Sequence, residues 1–288
     1  MLSRLDPGQY PTVTAIFQPM RIHLAIRSLL EGNTPGTIMV DDPIHPHLAL
    51  AEHDNRYYLT GAADLPASNA ALRDYFLESI YPDRQETGRG WFVLYVPPGP
   101  WETIIPELLD DSNLVPRGRQ YYVHNIGGEF TRPSPNHRID WRDQLPEGFV
   151  LRSVDPDLLD EPIRGLDDLK EEMCSERSSV DDFLAKSFGV VLLDAHSQDL
   201  GGIIAGWCLS EYNCADYCEV GIGTQEPYRR RGFATLMGTA MIEQAQSKGV
   251  TQIGWHCFTS NQACIATALK LGFRMVTDYP AFIKLVRT

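Results

Sequence analysis

Ahead of a strongly apolar helical stretch, three consecutive arginines meet a glycine in the segment Gly221-Ile222-Gly223-Thr224-Gln225-Glu226-Pro227-Tyr228-Arg229-Arg230-Arg231-Gly232-Phe233-Ala234-Thr235. The chemistry open to such a segment is anion binding. Backbone N–H groups at a helix start have no intrahelical acceptor and sit at the positive end of the helix dipole. Small residues such as Gly232 and Ala234 let a ligand approach that backbone, so the spacing predicts a pyrophosphate cradle. The Lys-Ser/Thr ending of a P-loop is absent, and Gly221-x-Gly223 lacks the third glycine of a dinucleotide fingerprint, which removes nucleoside triphosphatase and dehydrogenase readings. A basic, solvated loop with no ligand is the alternative.

The segment resembles the GNAT superfamily of N-acetyltransferases. The motif Arg/Gln-x-x-Gly-x-Gly/Ala stands here as Arg229-Arg230-Arg231-Gly232-Phe233-Ala234, with Tyr228 at the usual aromatic position before it. Asn261, a helix from Ala263 to Lys270 and then Leu271-Gly272-Phe273 are similar to the second motif of the superfamily. Cys218-Glu219-Val220-Gly221-Ile222 and Trp255-His256-Cys257 further resemble the zwittermicin-resistance-type two-part acetyltransferases. The likeness covers Gly148 to Val286 and, through that two-part subgroup, extends more weakly over the whole chain.

The resemblance implies acetyl-CoA as acyl donor substrate. It places the pantetheine arm along Ile222, Gly223 and Thr224, and the pyrophosphate on the turn Arg229, Arg230, Arg231, Gly232, Phe233, Ala234 and Thr235. Arg230 or Arg231 points instead to solvent or to the adenosine 3′-phosphate. Asn261 either bonds the pantetheine or acyl region or serves as a helix N-cap, a position Asn favours. The implied reaction is direct attack of an amine on the thioester in a ternary complex, where placement makes the encounter effectively intramolecular. A main-chain amide near Ile222 stabilises the developing oxyanion.

Because free amines are protonated at neutral pH, a base is needed. Glu219 is the candidate, directly or through water, with Asp216 as the alternate; a carboxylate paired with arginine or exposed on the sheet is the equal competitor. Many relatives carry a tyrosine acid four residues before the glycine of Leu-Gly-Phe, but that position is Ala268. His256, Cys257, Thr259 and Tyr279 are substitutes, although a histidine between Trp255 and Cys257 is first a packed core group. A thiolate leaves with little help, given a thiol pKa of about 8.5. His45, His47 and His53 cluster without a cysteine nearby, and Pro46 interrupts the pair, so no metal is assigned.

The elements that must position these residues follow from periodicity and punctuation. In the second half, strands are expected at Phe149–Ser153, Gly189–Asp194, Gly202–Ser210, Asp216–Gly223 and Gln252–Phe258. Helices are expected near Asp157–Ile163 and Val180–Lys186, over Gly232–Ser247 and over Gln262–Leu271, with a final hairpin. In the first half, a helix at Ile16–Leu30, strands at Thr37–Val40, Leu48–Ala51 and Tyr57–Thr60, and a helix at Ser68–Ser79 stopped by Pro82 lead to a strand at Trp91–Val96. A helix at Trp101–Leu109 and a strand at Gln120–Asn125 complete that half. Gly127–Leu145, rich in Gly, Pro, Asn and Arg, has the composition of a linker.

With 288 residues the chain divides into an N-terminal α/β domain, 1–145, and a GNAT N-acetyltransferase domain, 146–288, of mixed sheet with flanking helices. The order of elements in the first domain resembles that of the second, but its counterpart of the phosphate turn, Gly61 to Asn69, has no arginine and carries Asp64. It is expected to be a degenerate GNAT-like half, serving the substrate cleft or dimerisation. A net charge of −13 disfavours nucleic acid and anionic membranes as partners and suits a cationic amine. The six cysteines lack CxxC spacing and are expected as free thiols. Met1 to Pro19 has no basic-then-apolar leader, and no run of about 18 apolar residues occurs, so a cytoplasmic protein is expected. The leading expectation is acetyl transfer to a primary amine of a small molecule; a non-catalytic acyl-CoA-binding or regulatory module and a protein N-acyltransferase are the alternatives.

Overall fold

The structure is a computed structural model and describes residues 1–88, 90–111, 114–127, 140–196 and 201–286. The chain folds into two compact units: Met1–Gln120 with Phe258–Ser260 and Thr277–Thr288, and Tyr121–Cys257 with Asn261–Val276. The described residues between 121 and 145, ahead of the boundary expected from sequence, thus lie in the second unit, and 277–286 lie in the first.

Unit one is a mixed sheet whose strands are β1 (Ser3–Arg4), β2 (Thr37–Val40), β3 (Leu48–His53), β4 (Arg56–Gly61), β5 (Trp91–Tyr95) and the end of the last strand of the chain, β12 (Arg274–Leu285), in that spatial order. Neighbours are antiparallel except β4 and β5, which are parallel. A parallel pair needs a crossover, here α2 (Pro66–Tyr75) and α3 (Tyr81–Glu86) joined by the π-helical turn Phe76–Ile80. Leu72, Phe76 and Ile80 from that crossover, with Trp101 and Ile105 from α4 (Trp101–Leu108), bury against Leu48, Leu50, Leu59, Phe92 and Leu94 of the sheet.

Two sequence expectations for this unit are corrected. The helix expected at Ile16–Leu30 is a 3₁₀ turn, Gln18–Met20, before a short α1 (Leu24–Leu30), because Pro19 cannot donate to an α-ladder. Pro82 does not end the second helix. The π-helical turn before it lets the Tyr81 N–H reach Phe76 O, and the chain continues helically past the proline.

Unit two repeats the plan. Its strands run β6 (Arg117–Asn125, from Tyr121 onward), β11 (Gln252–Phe258), β10 (Tyr217–Thr224), β9 (Ile203–Cys214), β8 (Gly189–Asp194) and β7 (Phe149–Ser153) in space. Only β10 and β11 among the four pairs from β7 to β11 are parallel, and α8 (Phe233–Ser247) makes the crossover. Phe233, Leu236, Met237, Ala240 and Met241 of α8 pack on Val190, Leu192, Cys208, Cys218, Val220 and Ile253. The other face of β8 and β9 is covered by α5 (Pro156–Leu159), α6 (Leu166–Met173) and α7 (Val180–Lys186), through Leu158, Leu169, Met173 and Phe183 on Val191, Leu193 and Leu209.

The helix expected at Asp157–Ile163 is the shorter α5, which ends at Leu159 ahead of Pro162, and a separate helix, α6, starts after a left-handed Gly165 (φ +92°). After α9 (Gln262–Lys270) the expected hairpin is the single strand β12. Most of the expected linker, 128–139, lies outside the described residues, while Trp141–Gln144 is a 3₁₀ turn capped by Asp140. No helix among the described residues is long and apolar enough to cross a membrane.

Candidate active site

β10 pairs with β9 along its whole length, from Tyr217 opposite Cys214 to Thr224 opposite Gly206. With β11 it pairs only through Tyr217, Cys218 and Glu219, opposite Gln252, Ile253 and Gly254. Both strands continue beyond that point, but no further β10–β11 pair forms among the described residues. The register of β10 against β9 also shifts between Glu219 and Val220, a bulge of the kind that bends a strand. The point where the two parallel strands part is therefore built into the sheet.

Ile222, Gly223 and Thr224 lie on β10 past this point. The Ile222 side chain packs toward the α8 core. A Cβ on Gly223 would stand 2.7 Å from the Trp207 ring, so the missing side chain there is demanded by the neighbouring strand, whatever the strand edge binds.

The turn that follows is fixed at both ends. Gln225 N–H donates to Ala205 O at 2.9 Å, Tyr228 N–H to Gln225 O at 2.9 Å and Arg229 N–H to Glu226 O at 3.2 Å. Thr235 and Leu236 N–H both donate to Gly232 O. Between these bonds, the amides of Arg230, Arg231, Gly232, Phe233 and Ala234 donate to no backbone acceptor among the described residues. Gly232 is the N-cap of α8 with φ +82°, and a Cβ there would meet nothing within 4 Å, so its need for glycine is conformational and the space above it is open. Arg230 also holds a left-handed conformation, φ +61°, uncommon for a residue with a side chain.

The three guanidiniums have different settings. Arg229 Nε donates to Thr224 O at 3.1 Å. Arg231 lies over the rings of Phe149 and Phe233, 4.8 and 4.7 Å from their centroids. Arg230 is exposed. Tyr228 donates its hydroxyl to Asp194 at 2.9 Å, and its phenol is pushed up by burial and by that carboxylate.

Glu219 stands at the last β10–β11 pair. Cys218 and Val220 on either side point into the α8 core, so Glu219 projects from the opposite face, where it is only 4% exposed. Its Oε1 lies 3.2 Å from His256 Nε2. Tyr121 of β6 stacks on the His256 ring with centroids 4.6 Å apart, and its phenol is held up by burial and by the Glu219 charge. Gly254 makes room for this group: an added Cβ would sit 2.9 Å from Glu219 Cγ and 3.0 Å from the Tyr121 ring. Sequence reasoning singled out Glu219 but gave it no histidine partner, and it did not find Tyr121. The signal was available only as period-two alternation on three strands.

The remaining candidates are distributed elsewhere. Asp216 sits in the turn before β10, where its backbone and side-chain oxygens accept from Thr251. Asn261 is the N-cap of α9, its Oδ1 accepting from Cys264 N–H at 3.1 Å. Ala268 is wholly buried in the core. Thr259 and Tyr279 belong to unit one, the former donating to Gly118 O and the latter packed on His23. Of the clustered histidines His45, His47 and His53, His53 is buried with Nδ1 2.7 Å from Pro35 O, and His47 lies 3.8 Å from Asp41. The expectation of six free thiols is corrected at two positions: Cys257, at the end of β11, and Cys264, in the first turn of α9, form a disulfide, because the helix folds back beside the strand across a separation of 7 residues. Cys174, Cys208, Cys214 and Cys218 are in no disulfide among the described residues.

The chain that carries this parting strand pair and run of unpaired amides matches the model of the GNAT acetyltransferase family over residues 15–282. The chain belongs to the GNAT acetyltransferase family. It is an acyltransferase, acetyl transfer is the family's general reaction, and acetyl-CoA is the co-substrate. An uncharacterised N-acetyltransferase of Bacillus subtilis strain 168, YdfB, is 25% identical over 284 residues, 98% of each chain. In fold, the chain is similar to a GCN5-related N-acetyltransferase-like protein from Streptococcus suis (TM-score 0.70, 21% identity, 96% of this chain and 98% of that one). It is also similar to a tandem GNAT protein from the clavulanic acid biosynthesis pathway (TM-score 0.57, 12% identity, 100% and 99%). These neighbours extend the GNAT fold over both halves, as the repeated strand plan of the two units does.

Proposed function

We propose that the protein transfers the acetyl group of acetyl-CoA to a primary amine of a small molecule by direct attack in a ternary complex. The observation that carries the reading is the row of unpaired amides from Arg230 to Ala234 at the start of α8, adjoining the strand edge of β10. Five amide donors on one short turn, at the positive end of a 15-residue helix and beside exposed Arg229 and Arg230, suit a pyrophosphate. The edge Ile222–Thr224 suits an extended arm bearing amides, and the Asn261 side chain keeps its NH₂ for the same ligand. Glu219, at the parting of the strands, supplies negative charge for drawing a proton off the amine. The formal charge of −13 favours approach of a cation.

The test is thiol release from acetyl-CoA with a panel of small amines and peptides, together with calorimetry of coenzyme A binding. Amine-dependent release is expected for small amines and not for peptides. Gly232→Asp, which sets a carboxylate into the turn, is expected to weaken coenzyme A binding at least about 100-fold. Coenzyme A binding without release for any acceptor indicates a binding module, and release with peptides alone indicates a protein acyltransferase.

A further inference from the structure

We propose that His256, held by Glu219, is the group that takes the proton from the acceptor ammonium, and that Glu219 acts on the reaction through it. The inference rests on the transferase reading above. Its ground is geometric: the carboxylate is buried, and the group it faces is an imidazole 3.2 Å away. A buried carboxylate that received a proton directly would lose that partner. An imidazole that receives the proton gains a full counter-charge from the same carboxylate, in a setting where burial strengthens the attraction.

Position agrees. His256 lies two residues beyond Gly254, so it projects from the same face of β11 as the gap left by that glycine, the face across which Glu219 and Tyr121 reach. It is therefore past the last β10–β11 pair, on the side away from the α8 core. The His256 side chain is 13% exposed against 6% for Glu219, which makes the imidazole the more accessible member of the pair. The titratable groups packed around it include Glu219 from β10 and Tyr121 from β6. Tyr217 and Cys218 stand next along β10, and the Cys218 thiol is pushed up to about 12 by burial and by Glu219.

In the step itself, the ammonium gives one proton to His256 at Nδ1, the ring nitrogen that does not face Glu219. The freed amine nitrogen bonds to the thioester carbonyl carbon and the C–S bond breaks. The second nitrogen proton passes to the departing thiolate, giving amide and thiol, and the imidazolium later returns its proton to solvent. Tyr121, stacked on the ring, fixes its plane.

The experiment measures amine-dependent thiol release against pH for wild type, His256→Ala, His256→Gln and Glu219→Gln, with coenzyme A calorimetry on each. Wild type is expected to show a rate that falls on acidification. Both His256 variants are expected to lose that limb and about 100-fold or more in kcat, the range of general-base catalysis, with coenzyme A affinity unchanged. Free imidazole is expected to restore part of the His256→Ala rate, which a structural role for the ring does not allow. Glu219→Gln is expected to lower kcat less than either, with KM for acetyl-CoA unchanged. A His256→Gln enzyme that keeps both limb and rate while Glu219→Gln loses them overturns the assignment and leaves the transferase reading standing. Absence of amine-dependent release in wild type overturns both.

Discussion

In unit one the chain leaves β4 at Gly61 and enters α2 at Pro66; in unit two it leaves β10 at Thr224 and enters α8 at Phe233, and in both the helical crossover returns it to a parallel neighbour. The two helix starts are finished differently. In unit two the amides from Arg230 to Ala234 have no backbone acceptor among the described residues, and three arginines surround them. In unit one the chain supplies its own anion. Asp41 Oδ1 accepts from the amides of Asp42, His47 and Leu48, and Oδ2 accepts from the hydroxyl of Ser68 in the first turn of α2 at 2.7 Å. A carboxylate built in beside the helix leaves an external phosphate facing charge of its own sign. The same crossover can thus be closed by the protein or left for a ligand, and which occurs is decided by a few side chains around the turn.

The comparison is sharpened most by Asp41→Ala. It removes one acceptor from four donors, and the loss is expected to destabilise unit one by about 2–3 kcal/mol, measured by urea unfolding, while coenzyme A affinity stays unchanged. The pH dependence has a definite sign. Burial pushes the Asp41 carboxyl up, but the Ser68 hydroxyl and the Leu48, His47 and Asp42 amides outweigh it and hold the group below the usual carboxylate range. Its contribution is therefore present above the unfolded value and fades as pH falls through the lower folded one. The gap between wild type and Asp41→Ala should narrow in acid. A variant that instead gained coenzyme A binding in unit one, read as a second site by calorimetry, would show that the carboxylate alone separates the two helix starts.

Much of this contrast was legible in residues that punctuate the chain. Arg229 to Gly232 marked the turn and the apolar stripe of α8 its helix, because local signals determine local structure. Asp64 was the acidic residue visible near the first turn, yet the carboxylate that closes it is Asp41, which comes from the loop after β2 and reaches Ser68 only through the fold. Strand partners were illegible for the same reason. Period-two alternation tells which residues share a face and is silent on which strand lies beside which, so β6 beside β11 and β12 beside β5 could not be read. Glu219 and His256, 37 residues apart, meet only through the pairing of β10 with β11.

The connection after each parallel strand gives a second contrast. Following β5, Pro97 and Pro98 stiffen the path to α4, and Trp101 Nε1 donates to Gly61 O at 3.2 Å. Following β11, the path to α9 is closed by the Cys257–Cys264 disulfide, and Trp255 Nε1 donates to Cys264 Sγ at 3.2 Å. By the loop-entropy relation, the Cys257→Ser, Cys264→Ser double variant is expected to lose on the order of 2 kcal/mol in unfolding free energy relative to the oxidised protein. Dithiothreitol should lower the wild type toward the variant and leave the variant itself unmoved. Equal stability in all four measurements would mean that α9 is held by its Asn261 cap and core packing, and that the two connections differ only in composition.

The smallest expected effect concerns Arg230, a left-handed residue at the open start of α8. Such a conformation disfavours a side chain by about 1–2 kcal/mol, and glycine adopts it freely at the expense of a more flexible unfolded chain. Arg230→Gly is therefore expected to stabilise the protein by up to about 1 kcal/mol, seen as a small rise in melting temperature. If the arginine is kept for its charge, the same variant should bind coenzyme A several-fold more weakly, and more weakly still relative to wild type at low salt, where an unscreened guanidinium acts most strongly. A stabilised variant with undiminished affinity would break the comparison at this point: the strained residue would then owe nothing to the phosphate, and the difference between the two helix starts would rest on the backbone amides and Gly232 alone.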